Sequence, residues 1–219
     1  MPSESALRDI ARSGIGLIET FRWEPDSGFL RLDRHLARMA RSAAALGLSF
    51  SPEAADRALS DVEGTSAFRV RLELSADGQI KLATAPFVPL AEGTAWRIRI
   101  GRTRLFSADP LLRHKTTRRS LYEAARAEFT HDEADEVILR NESGTVCEGT
   151  ITNLFLRRGA GPLMTPALGS GLLPGILREE MIGSGEAVEA VISADDLMAA
   201  DELLVGNSLR GLISARLER

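Results

Sequence analysis

The chain carries 27 lysine and arginine side chains, yet lysine stands only at Lys81 and Lys115. An amine can lose its proton and add to a carbonyl carbon, whereas a guanidinium stays protonated, so a lysine kept in an arginine-rich chain is informative about chemistry. Lys115 follows an Asp109-Pro110 turn and lies in Arg113-His114-Lys115-Thr116-Thr117-Arg118. Its basic neighbours favour the neutral, nucleophilic amine. A solvated basic loop is the competing reading of the same residues.

Three other segments have residue types suited to holding a ligand. Glu148 sits in an apolar stretch with Val146, Cys147 and Ile151. A carboxylate there is costly to bury unless a cation or a donor meets it; the alternative is an exposed glutamate on the polar side of a strand. Gly171-Leu172-Leu173-Pro174-Gly175-Ile176-Leu177-Arg178 places glycines and a proline directly before a helix, whose unpaired N–H groups suit a phosphate. Val205-Gly206-Asn207-Ser208-Leu209-Arg210-Gly211 follows a strand and offers close backbone approach, a hydroxyl and a guanidinium. Neither segment has the spacing of a Walker A or a dinucleotide-binding loop.

The elements that must position these residues follow from periodicity. Ile15–Trp23, a turn at 24–28 and Phe29–Leu32 predict a β-hairpin. Asp33 is expected to cap a helix reaching Leu46, with Leu36, Met39, Ala40, Ala43 and Leu46 on its inner face and Gly47 at its end. Pro52–Leu59 predicts a short helix, and Ala67–Leu74, Asp77-Gly78 and Ile80–Ala85 a second hairpin. The proline- and glycine-bearing segment 85–93 marks a junction, giving a small α/β lobe over 1–86, a linker over 87–92 and a larger lobe over 93–219. In the larger lobe, strands are expected at 96–100, 136–140, 145–147, 151–156, 163–164, 187–191 and 202–205. Helices are expected at 119–129, 174–182 and 194–200. The class is α/β (α+β), two-lobed, with the larger lobe mainly antiparallel.

Composition narrows the setting. With 219 residues, 44% hydrophobic content and a formal net charge of −4, the chain can bury a core and has no polyanion-binding signature. The arginine clusters at 97–104 and 113–119 come without a nucleic-acid recognition motif. A single cysteine, Cys147, forms no internal disulfide, which points to a reducing compartment, and in an apolar stretch it reads as a small buried side chain. The polar stretch Met1–Arg12 has no apolar core of a signal peptide, and no apolar run approaches membrane-spanning length. The expectation is a soluble cytoplasmic protein with no metal, no membrane and no nucleic-acid partner.

Taken together and in order, the motifs resemble the class IV aminotransferase family, the fold-type IV pyridoxal-phosphate enzymes. The resemblance runs through Leu17-Ile18-Glu19-Thr20-Phe21-Arg22, Leu32-Asp33-Arg34-His35-Leu36-Ala37-Arg38-Met39, His114-Lys115-Thr116-Thr117 and Glu148-Gly149-Thr150-Ile151-Thr152-Asn153-Leu154-Phe155. It ends with 172–178 and 206–211, so it covers nearly the whole chain. It implies pyridoxal 5'-phosphate as cofactor, with Lys115 as the Schiff-base lysine and Glu148 paired with the pyridine nitrogen. Arg38, the backbone of Ile176 and Leu177, the Ser208 hydroxyl and the Leu209 N–H would hold the phosphate. Asn153 would support the Glu148 strand, and Arg22 and Arg210 would meet substrate carboxylates. Within the family the motifs are most similar to the aminodeoxychorismate lyase branch of folate biosynthesis; an aminotransferase acting on branched-chain or D-amino acids is the alternative. Transaminases of the family often place tyrosine where this chain has Ser120, with Tyr122 close by, and many stand-alone lyases place asparagine where it has Arg118. Relatives of this kind are commonly homodimers.

Overall fold

The computed structural model describes residues 14–218; the Met1–Arg12 stretch discussed above lies outside the described residues. The chain divides into two compact units. One takes the described residues up to Pro89 together with His114–Arg118, and the other takes Leu90–Arg113 and Arg119 onward. The short segment around Lys115 thus clusters with the first unit although it lies well inside the second in sequence.

The first unit is a four-stranded sheet with two helices. Its strands are β1 (Leu17–Glu24), β2 (Gly28–Phe29), β3 (Phe68–Leu74) and β4 (Ile80–Pro86), in the order β2-β1-β3-β4. All neighbours run antiparallel. Alternation places Leu17, Glu19, Phe21 and Trp23 on the buried face of β1, and Val70, Leu72 and Leu74 on that of β3. Against this face lies α1 (Leu32–Leu46); α2 (Pro52–Leu59), capped by the Ser51 hydroxyl, packs on β4. The α1 start departs from expectation. Asp33 lies in the first turn and makes no cap; the N-cap is Arg31, in the left-handed region at φ 58°. The buried stripe also differs, comprising His35, Arg38, Met39, Ser42, Ala43 and Leu46, with Leu36 and Ala40 only half-buried. Polar residues can occupy this stripe because β1 supplies a buried charge to meet them.

The second unit is built on an eight-stranded sheet. Its strands are β5 (Ala95–Leu105), β6 (Glu136–Asn141), β7 (Val146–Gly149), β8 (Asn153–Arg157), β9 (Leu163–Pro166), β10 (Ala187–Ala190), β11 (Glu202–Asn207) and β12 (Gly211–Leu217). The order is β10-β9-β8-β11-β12-β5-β6-β7. The pairs β9/β10, β5/β12 and β5/β6 run parallel and the other neighbours antiparallel. Helices α3 (Ser120–Arg126), α4 (Ile176–Gly183) and α5 (Ala194–Met198) complete the unit. Both faces of the sheet are covered, which is why its central strands read as nearly unbroken apolar runs. Ile138, Leu154, Leu156 and Val205 point into one core, while Val137, Leu139 and Cys147 join Ala125 of α3 in another. Phe155 and Leu204 meet Leu177 and Met181 of α4 in a third. Among the described residues no helix is long and apolar enough to cross a membrane.

Candidate active site

In the first unit, Lys115 is held by its backbone. Its carbonyl accepts from the Ile18 N–H at 2.8 Å, Thr116 bridges to Leu17, and the Thr117 N–H donates to the Gly16 carbonyl at 2.9 Å. The Thr117 hydroxyl accepts from the Gly16 N–H at 2.9 Å. The segment is therefore an added strand-like edge on the start of β1, and the half-buried Lys115 side chain leaves from a fixed backbone. His114, counted from sequence among the basic neighbours, has its Nδ1 3.0 Å from the Ser42 hydroxyl, and burial holds its pKa below the usual histidine value.

One turn of α1 and one residue of β1 form a buried ionic cluster in the same unit. Arg38 donates to Glu19 through Nε at 2.8 Å and through Nη2 at 2.6 Å, and His35 Nδ1 lies 2.6 Å from Glu19 Oε2. His35 and Arg38 are three apart on the helix and so share a face. Burial alone would raise the Glu19 pKa; the Arg38 guanidinium and the His35 and Arg38 hydrogen bonds outweigh it and hold the carboxyl below its ordinary value. Burial depresses the His35 pKa despite Glu19, and the nearby charges of Arg38 and Lys115 add to that. Arg38, expected from resemblance as a phosphate ligand, thus has two of its donor nitrogens on Glu19. The signal in sequence was a glutamate inside the apolar run Leu17-Ile18-Glu19-Thr20-Phe21, matched to no partner until the fold brought α1 across β1. Arg22 leaves the other face of β1; its Nε lies 3.1 Å from Glu24 Oε1 and its guanidinium stacks 5.1 Å from the Phe87 ring centroid.

In the second unit, Glu148 is 4% exposed near the end of β7, opposite Leu139 of β6. Its Oε1 accepts from the Tyr122 hydroxyl of α3 at 2.7 Å. Burial, followed by the charge and hydrogen bond of Glu148, holds the Tyr122 pKa far above the ordinary tyrosine value. The Arg119 guanidinium covers the Tyr122 ring at 4.6 Å and donates to the Thr150 carbonyl. Next to Glu148, Cys147 is fully buried with its thiol pushed up to about 12, chiefly by burial, so it is inert packing and not a nucleophile.

The turn after Glu148 is organised by a residue that sequence reasoning passed over. Glu136 is fully buried. Its Oε1 accepts from the N–H of Val137 at 2.8 Å, the N–H of Thr150 at 2.9 Å and the Thr150 hydroxyl at 2.5 Å. Its Oε2 accepts from the Ile151 N–H at 3.1 Å and the Thr152 hydroxyl at 2.8 Å. A Cβ on Gly149 would lie 2.7 Å from Glu136 Oε2, so the carboxylate reaches the turn only because that residue is glycine. Residues 151 and 152, expected as the start of a strand, belong to this turn instead, and the strand begins at Asn153.

The two glycine-bearing segments meet. A Cβ on Gly206 would lie 2.9 Å from Leu177 Cδ2 and 2.8 Å from the Gly211 carbonyl oxygen, which places the start of α4 against the β11–β12 loop. Gly175 is the N-cap of α4 and offers no side-chain cap, leaving the first-turn amides of Ile176 and Leu177 to be met by something other than a capping side chain. Asn153 donates to the Leu173 carbonyl at 3.1 Å, and its Oδ1 fills the space that a Cβ on Gly175 would take, at 1.9 Å. Asn153, expected to support the Glu148 strand, thus bonds to the segment that leads into α4. Asn207 Oδ1 accepts from the N–H groups of Leu209 at 3.1 Å and Arg210 at 2.9 Å. The Leu209 N–H, expected to face a phosphate, is occupied in closing this loop, on which Ser208 is buried. The Arg210 guanidinium lies 5.9 Å from the Trp96 ring centroid.

Residues 16–217 match the family model described as amino-transferase class IV. A protein of Schizosaccharomyces pombe that carries the provisional name aminodeoxychorismate lyase is 31% identical over 84% of this chain and 83% of its own length. A Thermotoga maritima protein, provisionally named as a branched-chain-amino-acid aminotransferase, is also 31% identical, over 84% of this chain and 70% of its own. Among solved structures, one from Mesorhizobium loti described provisionally as an amino-acid aminotransferase superposes with a TM-score of 0.91 at 51% identity, covering 93% of this chain and 100% of that one. A family model spanning nearly the whole chain, and relatives matched along most of their length, establish that the chain is an enzyme of the class IV aminotransferase family, whose members depend on pyridoxal 5'-phosphate.

Proposed function

We propose that the chain is an aminodeoxychorismate lyase, converting 4-amino-4-deoxychorismate to 4-aminobenzoate and pyruvate. The similarity to the Schizosaccharomyces pombe protein along 84% of this chain carries the choice of reaction. The residues present fit the cofactor. The start of α4 has no capping side chain, which leaves its first-turn amides for a phosphate, and the Leu177 side chain packs on Gly206 beside it. Glu148 is a buried carboxylate suited to a protonated ring nitrogen. When bound, pyridoxal 5'-phosphate supplies an electron sink for the bond being broken.

Each residue then has a defined task. Lys115 Nζ would hold the cofactor covalently and, once displaced by the substrate amine, take the proton from the carbon that bears that amine. The ether C–O bond to the enolpyruvyl group breaks as the ring becomes aromatic, and the departing enolpyruvate takes up a proton to become pyruvate. Glu148 would keep the proton on the ring nitrogen. The N–H groups of Ile176 and Leu177 and the Ser208 hydroxyl would bind the phosphate, with Arg38 adding charge while Glu19 orients it. Asn153 acts through the start of α4, which it fixes. Arg22 and Arg210 would receive the substrate carboxylates. The working form would be a homodimer, checked by light scattering.

Aminotransfer at the same residues is the second reading, favoured by the 51% identity to the Mesorhizobium loti structure. One assay separates the two. Chorismate, glutamine and aminodeoxychorismate synthase are supplied with the purified protein, and 4-aminobenzoate and pyruvate are measured. Stoichiometric formation of both products supports the lyase. No product, together with amino transfer from leucine or D-alanine to 2-oxoglutarate, replaces it with the aminotransferase.

A further inference from the structure

Tyr122 is the sole tyrosine of the chain, and its hydroxyl is spent on one acceptor, Glu148 Oε1 at 2.7 Å. Its ring is fixed on a second side by the Arg119 guanidinium, 4.6 Å from the centroid. Arg119 and Tyr122 are three apart at the start of α3 and share a face. Arg119 also donates to the Thr150 carbonyl, and the N–H and hydroxyl of Thr150 donate to Glu136. The phenol is thus tied through named contacts to the turn that follows Glu148, and the donor and its acceptor are held in one frame.

We propose that Tyr122 is the positioning residue for Glu148, fixing the carboxylate's orientation before the cofactor arrives. A buried carboxylate without donors turns protonated or swings toward water. A phenol donor opposes both, because hydrogen bonding to the charged form stabilises it. The phenol cannot itself supply charge at neutral pH, since burial and Glu148 both oppose its ionisation. Tyr122 therefore orients the acceptor without competing with it for the ring-nitrogen proton. This inference rests on the reading of Glu148 as the partner of that nitrogen.

The test uses pyridoxal 5'-phosphate itself and needs no turnover. Borohydride reduction of the loaded wild type, followed by peptide mapping, should find the pyridoxyl group on Lys115. Tyr122→Phe should form the same adduct at saturating cofactor but bind it about ten- to a hundredfold more weakly, the loss expected for one hydrogen bond to a charged group. Tyrosine labelled with carbon-13 at Cζ gives a single resonance, because Tyr122 has no other tyrosine to overlap it. Loading the wild type should move that resonance toward its position in Glu148→Gln, as the ring-nitrogen proton draws charge from Glu148. A purely structural hydrogen bond would not respond to the cofactor. Unchanged affinity in Tyr122→Phe, or a resonance indifferent to loading, overturns this inference while a Lys115 adduct leaves the reading of the site standing. Absence of the adduct in the wild type removes both. Should Glu148→Gln fail to fold, the loading shift in the wild type and the Tyr122→Phe affinity still decide.

Discussion

Arg38 grips Glu19 with two nitrogens across 19 positions of sequence, Nε on one carboxylate oxygen and Nη2 on the other. Both side chains are almost fully buried, at 7% and 2% exposure. A fork-to-fork pair fixes the plane of the guanidinium as well as its position. Glu19 therefore fixes the Arg38 guanidinium on α1, next to a His35 that also feels the Lys115 charge.

Removing the carboxylate should take the forked acceptor from a buried arginine. Glu19→Ala is expected to cost about 3–5 kcal/mol, read as a lower midpoint in urea unfolding. A loss below about 1 kcal/mol would show that the pair is marginal.

Stability should also fall in acid, in two stages. Glu19 and His35 both have folded pKa values below their ordinary ones. The unfolded chain then binds more protons than the folded one, so stability rises with pH across each window. The His35 contribution is complete above its ordinary value of 6.5 and fades as pH falls from there. The Glu19 contribution is complete above 4.5 and fades below it. Urea midpoints measured down this range should decline from near-neutral pH onward in the wild type, and His35→Gln should shrink the first stage to the part owed to His114 while keeping the second.

Glu136 collects five donors on its two oxygens, from three backbone N–H groups and two threonine hydroxyls. Glu136→Ala takes that acceptor from all five and is expected to cost on the order of 3 kcal/mol, or roughly 6–12 °C in Tm for a chain of this size. Cofactor affinity should fall with it, because the turn it organises sets the end of the Glu148 strand. Glu136→Gln, which keeps one strong acceptor, should fall between the two, as calorimetry would show.

Two glycines of the α4 region should behave oppositely. Gly175→Ala would put a methyl 1.9 Å from Asn153 Oδ1, forcing the start of α4 to move. Its affinity for pyridoxal 5'-phosphate should drop about tenfold or more. Gly183→Ala, at the far end of the same helix, meets nothing within 4 Å. Its affinity should stay at the wild-type value and its stability should hold or rise by up to about 1 kcal/mol. Fluorescence titration of both variants checks the contrast.

Much of the fold and the identity of the family were legible along the chain. Alternation marked β1, β3 and β4, the Pro-Gly pair at 174–175 marked the start of α4, and Lys115, Glu148 and the two glycine-bearing segments carried the resemblance in their order. These are local signals: a strand's period, a helix's first turn and a short motif are set by neighbours in sequence. What the tertiary structure alone decided is which group each polar side chain meets. Glu19 meets Arg38 because α1 crosses β1. Tyr122 meets Glu148, 26 positions away, because α3 packs on β5 and β6, and β6 pairs with the Glu148 strand β7. Asn153 meets the Leu173 carbonyl, 20 positions away, and Asn207 donates to the Ile151 carbonyl, 56 positions away, in a unit where β8 and β11 are neighbours in a sheet whose order, β10-β9-β8-β11-β12-β5-β6-β7, no local pattern encodes. Buried charges and amides must find partners wherever the packing puts them, so their pairing is a property of the assembled sheets and helices.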